Sequence, residues 1–255
     1  MAVALLAAPA AAQLRDYCPD RPGLDTPACT TDRGHVSVET AVVDWTRDVA
    51  AGARTDTVLI GDTLVRLGVA DSVEARVGWT PYGHQRVRER GSGVTDQGGG
   101  VGDVTIGLKS RLVHSTDLSI SVLPRVSLPV GREPIGAGNL GAALLLPSSY
   151  RLARTVRLEA TPEVDAAVNM DGPGRHLAYS MTGGVAWRVV KPLSLTGELQ
   201  VRRDDDPHGS RTPALAAVSI AVLAGRNLQF DVLGAGGLNR DAPGLELYGG
   251  VSRRF

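Results

Sequence analysis

The sequence is poor in aromatic residues and has no long apolar run. Phe, Trp and Tyr make up 4% of its 255 residues, whereas Gly occurs 31 times. No stretch approaches the roughly 18 consecutive apolar residues of a membrane-spanning helix. An α-helical membrane protein is therefore excluded. A membrane β-barrel is not, because a membrane strand needs only about 9–11 residues, half of which can be polar.

The chain also lacks a charge imbalance and a recognisable cofactor motif. Its 27 basic and 27 acidic residues give no argument for a nucleic-acid partner. The glycine-rich stretch GGGVG at Gly98 to Gly102 is followed by neither a helical pattern nor a Lys-Ser/Thr pair, so it indicates a mobile outer loop rather than a phosphate site. We therefore predict no cofactor, no metal and no nucleic-acid partner.

Cysteine is scarce, and both copies precede the first predicted strand. Cys18 and Cys29 flank a segment rich in Pro and Asp. In an oxidising compartment this pair can close a small disulfide loop, and the alternative is two unpaired thiols in a disordered leader. With only His35 nearby, the two cysteines do not predict a metal site.

The first residues have the composition of an export signal. An apolar run at Ala2 to Ala8 is followed by Ala10 to Ala12, a small-residue pattern that predicts cleavage before Gln13. No basic residue precedes Arg15, so we expect the signal peptide, residues 1–12, to be truncated at its start. The alternative is a flexible apolar tail on a cytosolic protein. We expect residues 13–34 to form a periplasmic N-terminal extension and residues 35–255 to form a β-barrel.

From His35 onward the residues alternate between apolar and polar. In Val73 to Trp79 and in Leu118 to Leu128, charged and hydroxyl side chains occupy one parity and large apolar side chains the other. This period of two predicts β-strands. Many of the strands are about ten residues long, against the usual five or six of soluble sheets, and this length is typical of transmembrane barrels.

About twelve such strands can be recognised, an even count that is typical of bacterial barrels. Long and short connections alternate along the chain. The predicted long ones are Arg47–Asp56, Thr80–Gly102, Pro129–Asn139, Asn169–His176, Arg203–Pro213 and Gly237–Gly244. This pattern predicts an all-β, antiparallel transmembrane barrel with short periplasmic turns and longer outer loops. In the first strand Asp44 lies on the apolar parity, so a bulge or an early exit from the membrane is needed there. A soluble lipocalin-like barrel is the alternative fold, but it would have about eight strands and an apolar interior.

The charged parity is predicted to face the lumen, because an Arg or Lys facing lipid costs about 2–4 kcal/mol at the midplane. Arg253 is the exception, near enough to the chain end for its side chain to reach the interface. These side chains either set the selectivity of a channel or pair across a narrow lumen and fill it. The predicted lumen-lining residues are Arg66, Glu74, Arg76, Lys109, Arg111, Arg125, Arg157, Glu159, Glu163, Asp165, Arg188, Glu198, Arg202, Asp231, Glu246 and Arg254.

Three stretches resemble a known family. These are LVRLGVADSVEARVGW at Leu64 to Trp79, GGGVGDVTIGLKSRLV at Gly98 to Val113 and LSISVLPRVSLPVG at Leu118 to Gly131. They are similar to the outer-membrane transporter family named for the meta-pathway of phenol degradation. The terminal Phe255, with Tyr248 before it, resembles the signal recognised by the barrel-insertion machinery. The resemblance implies a twelve-stranded barrel in the bacterial outer membrane that moves small, often hydrophobic or aromatic, solutes.

Two other functions stay open. One is a structural or adhesive barrel with a closed lumen. The other is an outer-membrane enzyme acting through its loops, for which His84 or His208 with the acidic run Asp204–Asp206 are candidates. That acidic run could also bind Ca²⁺ weakly, although a solvated loop is the simpler interpretation. The channel needs membrane lipid, the insertion machinery and a small solute as partners, and no catalytic residue is assigned.

Overall fold

The structure, a computed structural model, describes residues 14–50, 52–170 and 173–255. No helix long and apolar enough to cross a membrane occurs in these residues. They form fifteen antiparallel strands. The strands are β1 (Val36–Ala50), β2 (Ala53–Ala70), β3 (Val73–Trp79), β4 (Tyr82–Glu89), β5 (Thr95–Gly100), β6 (Val104–His114), β7 (Leu118–Leu128), β8 (Gly141–Leu145), β9 (Ser148–Arg151), β10 (Val156–Val168), β11 (Arg175–Val190), β12 (Leu193–Asp204), β13 (Ala214–Ala224), β14 (Leu228–Gly237) and β15 (Leu245–Arg254).

The sheet closes into a barrel because β1 pairs with β2 on one side and with β15 on the other. Three positions in the wall are each filled by two consecutive segments. β3 and β4 both pair with β2 and fill the first of these positions. β6 pairs with β3 and β5 pairs with β4, so β5 and β6 fill the second. β8 and β9 lie together between β7 and β10 and fill the third. Counted this way the wall has twelve strands, which confirms the predicted architecture.

The two faces of the wall differ as the alternation predicted. Large apolar side chains face outward, with Val218 64% and Leu199 59% exposed. Charged side chains face inward, with Glu74 and Lys109 fully buried. Only a closed barrel satisfies every strand hydrogen bond in lipid, so this apolar exterior and polar interior indicate a membrane-spanning barrel.

A β-bulge in β1 resolves the parity conflict at Asp44. The register of β1 shifts between Ala41 and Val43. Val42 and Val43 therefore both face outward, at 57% and 45% exposure. The extra residue returns Asp44 to the lumen side, so the predicted bulge is confirmed. Gly61 lies opposite it in β2 with φ of 72°, a conformation that suits glycine.

Two strands with apolar residues on both parities had no predicted facing. In β8, Leu145 points inward and is 2% exposed, whereas Leu144 points outward at 47%. In β13, Leu215 and Ala217 point inward and Val218 points outward. Neighbouring strands thus impose a direction where the sequence has none.

Two of the predicted outer loops are wrong. The predicted loop Arg47–Asp56 is mostly strand, because β1 continues to Ala50 and β2 begins at Ala53. The predicted loop Thr80–Gly102 contains β4 and β5, which pair with each other and extend the sheet beyond the barrel. A strand in water needs no apolar face, so the loss of alternation there did not mean the loss of strand structure. The tight connections on the other side of the barrel are confirmed.

The outward face predicts the cost of a charge in the middle of β13. We expect Val218→Arg to destabilise the barrel by about 2–4 kcal/mol, because a guanidinium there meets lipid. Val49→Arg is the matched control, since Val49 is 42% exposed in the hairpin that extends β1 and β2 and should cost close to nothing. Urea-dependent folding into lipid vesicles, followed by tryptophan fluorescence, measures both changes. Equal stability of the two variants would contradict the assigned outward face.

Candidate functional site: a plug in the lumen

Residues 14–34 lie inside the barrel, and we call this segment the plug. The sequence predicted a periplasmic extension, and that expectation needs correction because the segment contacts side chains of the lumen wall on every side. The plug enters at the end of the barrel where the short turns lie, runs inward to Leu24–Thr26 and returns to β1. Polar atoms of the plug backbone form hydrogen bonds with the wall that they would otherwise form with water.

A disulfide closes the plug on itself. Cys18 and Cys29 are bonded, with a Cα–Cα distance of 6.5 Å. The bond shapes a loop whose carbonyl groups point at the wall. Arg66 donates to the carbonyls of Cys18 and Cys29 at 2.9 and 3.4 Å, and the ammonium of Lys109 donates to that of Cys29 at 3.1 Å. Since both cysteines belong to the plug, the disulfide does not tether the plug to the barrel wall.

A buried ionic network joins the plug to four neighbouring wall strands. Arg66 of β2 is at its centre, where its Nη1 lies 2.8 Å from Glu39 of β1 and its Nη2 lies 2.9 Å from Glu74 of β3. Lys109 of β6 lies 3.3 Å from the same Glu74. The wall thus supplies paired charges at low exposure, where removing one partner strands the other at high cost.

Asp20 of the plug completes this network. Its carboxylate lies 3.1 Å from Arg66 and 3.3 Å from Lys109, and it also contacts Arg76. These three cations hold the pKa of the Asp20 carboxyl well below its usual range, against the effect of burial. The wall contributes three positive and two negative charges (with Glu39 and Glu74), so Asp20 brings the network to neutrality.

The far side of the plug is held by hydrogen bonds from other strands. Glu198 of β12 accepts from the backbone N–H groups of Leu24 and Asp25 at 3.1 and 3.0 Å. The hydroxyl of Tyr248 in β15 accepts from the N–H of Gly23 at 2.6 Å. Arg21 pairs with Asp231 of β14 at 2.9 Å. The tip of the plug is therefore held against the wall opposite the ionic network.

Asp25 is the plug carboxyl with the least compensation. It is 7% exposed, accepts one hydrogen bond from Thr161 at 3.3 Å, and its second oxygen has no partner among the described residues. Burial, and then the nearby carboxylates Glu159, Glu198 and Asp20, raise the pKa of Asp25 to about 8. At neutral pH the carboxyl is therefore mostly protonated while the plug is seated.

Just before β1, the plug lies in close contact with β2 and β15. Asp32 pairs with Arg254 of β15 at 2.7 Å. Arg33 bridges to Gly68 of β2, where an added Cβ would lie 2.0 Å from the Asp32 carbonyl oxygen. Only glycine permits this approach, which explains the glycine on the lumen parity of β2.

Open space remains on both sides of the plug. A cavity of about 280 Å³ lies on its outer side and is bordered by Thr26, Arg76 and Arg125. A cavity of about 490 Å³ lies at the opposite mouth, where Arg15, Arg188 and further basic side chains face a single Asp16. The lumen is thus divided by the plug into an outer vestibule and a basic inner mouth.

The predicted lumen residues fall into three groups. Those that bond the plug are Arg66, Glu74, Arg76, Lys109, Glu198, Asp231 and Arg254, and Arg188 lies 3.7 Å from Asp16. In the vestibule, Arg125 pairs with Glu163 at 2.6 Å and Arg202 with Asp165 at 2.7 Å, while Glu246 is half-buried near Asp44. Toward the inner mouth lie Arg111, Arg157 and Glu159.

Sequence reasoning missed two central carboxylates. Glu39 shares its inward parity with Ser37 in β1, but the alternation of this strand is broken at Asp44 five residues later. Asp20 had no strand pattern to place it. The disulfide prediction was the available signal, since a structured loop joined to a barrel mouth can reach into the lumen.

A histidine that the sequence did not single out has its side chain buried at the outer end of β11. His176 lies 2.7 Å from Asp204 and 3.1 Å from Asn169, so both ring nitrogens face acceptors. His208, a predicted candidate, is exposed and 3.4 Å from Asp206. In the described part of the chain, no cluster of three metal-ligating side chains occurs. The contacts of His176 join the outer ends of β11 and β12 to the loop that precedes β11.

The two residues of the predicted assembly signal have different surroundings. Tyr248 faces the lumen and bonds the plug, and Arg21 stacks on its ring at 4.5 Å. Phe255 is 60% exposed at the end of β15, with Arg253 over its ring at 4.8 Å. Arg253 thus lies against an aromatic ring at the chain end. The predicted signal peptide, residues 1–12, lies outside the described residues.

Comparison with known proteins agrees with this geometry. The family model described as "Putative MetA-pathway of phenol degradation" matches residues 19–255. No curated protein sequence matches the chain.

Solved structures share the fold at low identity. An outer membrane channel from Pseudomonas putida is 12% identical with a TM-score of 0.71, over 89% of this chain and 97% of that one. The β-domain of the Bordetella autotransporter BrkA is 13% identical with a TM-score of 0.57, over 88% and 100%. The KdgM porin, solved in complex with disordered oligogalacturonate, is 10% identical with a TM-score of 0.53, over 87% and 99%. The chain belongs to the phenol-degradation family, and its fold is that of bacterial outer-membrane β-barrels, with residues 14–34 held in the lumen.

Proposed function

We propose that the protein is a channel for small solutes that is gated by its plug. The observation that carries this proposal is the nature of the plug's attachment. The disulfide lies within the plug, and among the described residues the plug is held to the wall by noncovalent contacts, mainly ion pairs and hydrogen bonds, with Leu24 packed against an apolar patch of the wall. The segment can therefore leave its seat without breaking a covalent bond and without disturbing the strand pairing of the wall.

The polar attachment of the plug also favours a channel over a closed structural barrel. A barrel that only needs stability gains more from an apolar core than from buried ion pairs. Here the lumen holds matched charges and retains a cavity on each side of the plug. Water can hydrate these polar surfaces once they separate, whereas it could not compensate for the separation of two apolar surfaces.

The wall also favours solutes that carry a polar or charged group. Its inward side chains are charged along the whole lumen, from Arg125 and Glu163 in the vestibule to Arg188 and Arg254 at the inner mouth. The family's link to phenol degradation points to small aromatic compounds, and the lumen suits those that bear a hydroxyl or carboxyl group. The function is transport rather than catalysis, with membrane lipid at the outer face and Phe255 as the assembly signal.

Removal of the plug tests the proposal. We expect the full chain in planar bilayers to give small single-channel steps, and a variant lacking residues 14–32 to give steps several-fold larger, because the lumen loses its obstruction. Heat-modifiable mobility on gels checks that both barrels are folded. Folded barrels that are equally silent with and without the plug would leave a structural role as the better account.

Reduction of the disulfide should favour release of the plug from the wall. Without the disulfide, the released plug gains conformational entropy, which stabilises the released state by about 3 kcal/mol for a closed loop of this size. We expect Cys18→Ser/Cys29→Ser to raise the open probability, and a reducing agent to have the same effect on the native chain but none on the double variant. An unchanged open probability in both cases would mean that the disulfide does not hold the plug in its seated shape.

The seating of the plug should depend on pH through Asp25. A released plug has an ordinary carboxyl pKa of about 4, and the seated plug has a pKa of about 8. The seated state therefore keeps a proton that the released state loses, and seating weakens as pH rises between these values. Asp25 faces Glu159 of β10 and Glu198 of β12, with Asp20 in the plug itself, and ionisation adds repulsion from all three.

We therefore expect the open probability to rise between pH 5 and pH 9, and Asp25→Asn to flatten this rise and keep the plug seated at alkaline pH. Bilayer recordings across this pH range measure both effects. Asp16→Asn is the control, since Asp16 is exposed at the inner mouth and should leave the pH profile unchanged. A profile as steep in Asp25→Asn as in the native chain would assign the pH response to other groups.

A further inference from the structure

The contacts of Asp20 describe a binding site on the wall for one carboxylate. Three cations from three different strands converge on its two oxygens: Arg66 on β2, Arg76 on β3 and Lys109 on β6. Each of these side chains is at most 10% exposed. Such convergence is the usual chemistry of carboxylate recognition.

The charge of the wall makes this site attractive when the plug leaves. Without Asp20, the three cations face Glu39 and Glu74, so this part of the wall retains one net positive charge where the plug carboxylate lay. An anion of the right shape can pair with that charge in place of Asp20. The site is therefore set up for a monocarboxylate from either the plug or the solution.

Arg76 connects this site to the outer vestibule. Its Nη2 contacts Asp20, whereas its Nη1 is buried and has no hydrogen-bond partner among the described residues. Arg76 also borders the cavity of about 280 Å³ on the outer side of the plug, together with Thr63 and Thr105. A buried donor without an acceptor, next to a cavity near the small end of ligand-site volumes, is a place for an incoming oxygen.

We propose that Arg66, Arg76 and Lys109 form a binding site for the carboxylate of a small organic acid, and that Asp20 occupies this site as an internal competitor. The solute enters from the vestibule, its carboxylate pairs with the unpartnered Nη1 of Arg76, and it then takes over the cations that hold Asp20. Binding of the solute and release of the plug are thereby coupled. This inference rests on the proposed channel function and adds a solute class and a trigger to it.

Calorimetry with benzoate as the probe tests the competition. Removing the internal carboxylate raises the fraction of protein whose site is vacant, so we expect Asp20→Asn to bind benzoate about tenfold or more tightly than the native chain. Benzyl alcohol is the matched neutral probe and should gain nothing. Asp16→Asn, which keeps the Asp20 site intact, should bind benzoate like the native chain.

The combined variant Asp20→Asn/Arg76→Gln keeps the test decisive. It should lose the gained affinity, because the amide replaces the guanidinium that first meets the solute. Benzoate affinity that is the same in Asp20→Asn and the native chain, or an equal gain for benzyl alcohol, would overturn the proposed site. Gel mobility confirms folding of each variant.

Bilayer recordings test the channel function independently of benzoate binding. Benzoate should raise the open probability of the native chain, and benzyl alcohol at the same concentration should not. A chain that conducts but ignores benzoate would remain a channel without this site. A folded chain that binds benzoate yet never conducts would retain the site and lose the proposed function.

Discussion

The fold and the plug depend on one constraint, the high cost of an ionised side chain in lipid. The wall contains charged residues in nearly every strand, and alternation can direct them to one face only. That face must be the lumen, where Arg66, Glu74 and Lys109 are buried by protein instead of lipid. Burial inside the lumen then creates a second demand, since each charge needs a partner in a space with little water.

The plug meets that second demand. Its carbonyl groups accept from Arg66 and Lys109, and its backbone N–H groups donate to Glu39, Glu74 and Glu198. A segment without regular secondary structure normally leaves its backbone groups to water. Here the wall satisfies them, so an irregular segment is stable inside a membrane protein because it is surrounded by protein.

Much of the barrel could be predicted from the sequence, because its signal repeats in each strand. Val73–Trp79 shows the period of two, as does Leu118–Leu128 apart from Leu123, and both are strands with the expected facing. The irregularity of β1 was also foreseeable, since Asp44 on the apolar parity required either a bulge or an early exit from the membrane, and the structure has the bulge at Val42. The errors lie beyond the membrane, where the hairpin of β4 and β5 no longer alternates between apolar and polar residues.

The plug could not be predicted in the same way, because its contacts join residues far apart in sequence. Asp20 and Lys109 are 89 residues apart, and Arg21 and Asp231 are 210 apart. No local pattern in residues 14–34 records these partners. The lumen residues themselves were foreseeable as a class, but parity alone does not say whether a charge pairs across the wall, as Arg125 and Glu163 do, or with a plug.

The distribution of charge suggests why the plug and the transport path share the same residues. A lumen that passes a small polar solute must offer it partners in place of water, and those partners would be uncompensated while the lumen is empty. A plug that mimics the solute resolves this conflict. It satisfies the wall at rest with a carboxylate, two cysteine carbonyls and a set of N–H groups, and each of these can be replaced by water or solute. The stability of the closed barrel and the affinity for its solute then derive from the same cations, so neither can be strengthened without changing the other.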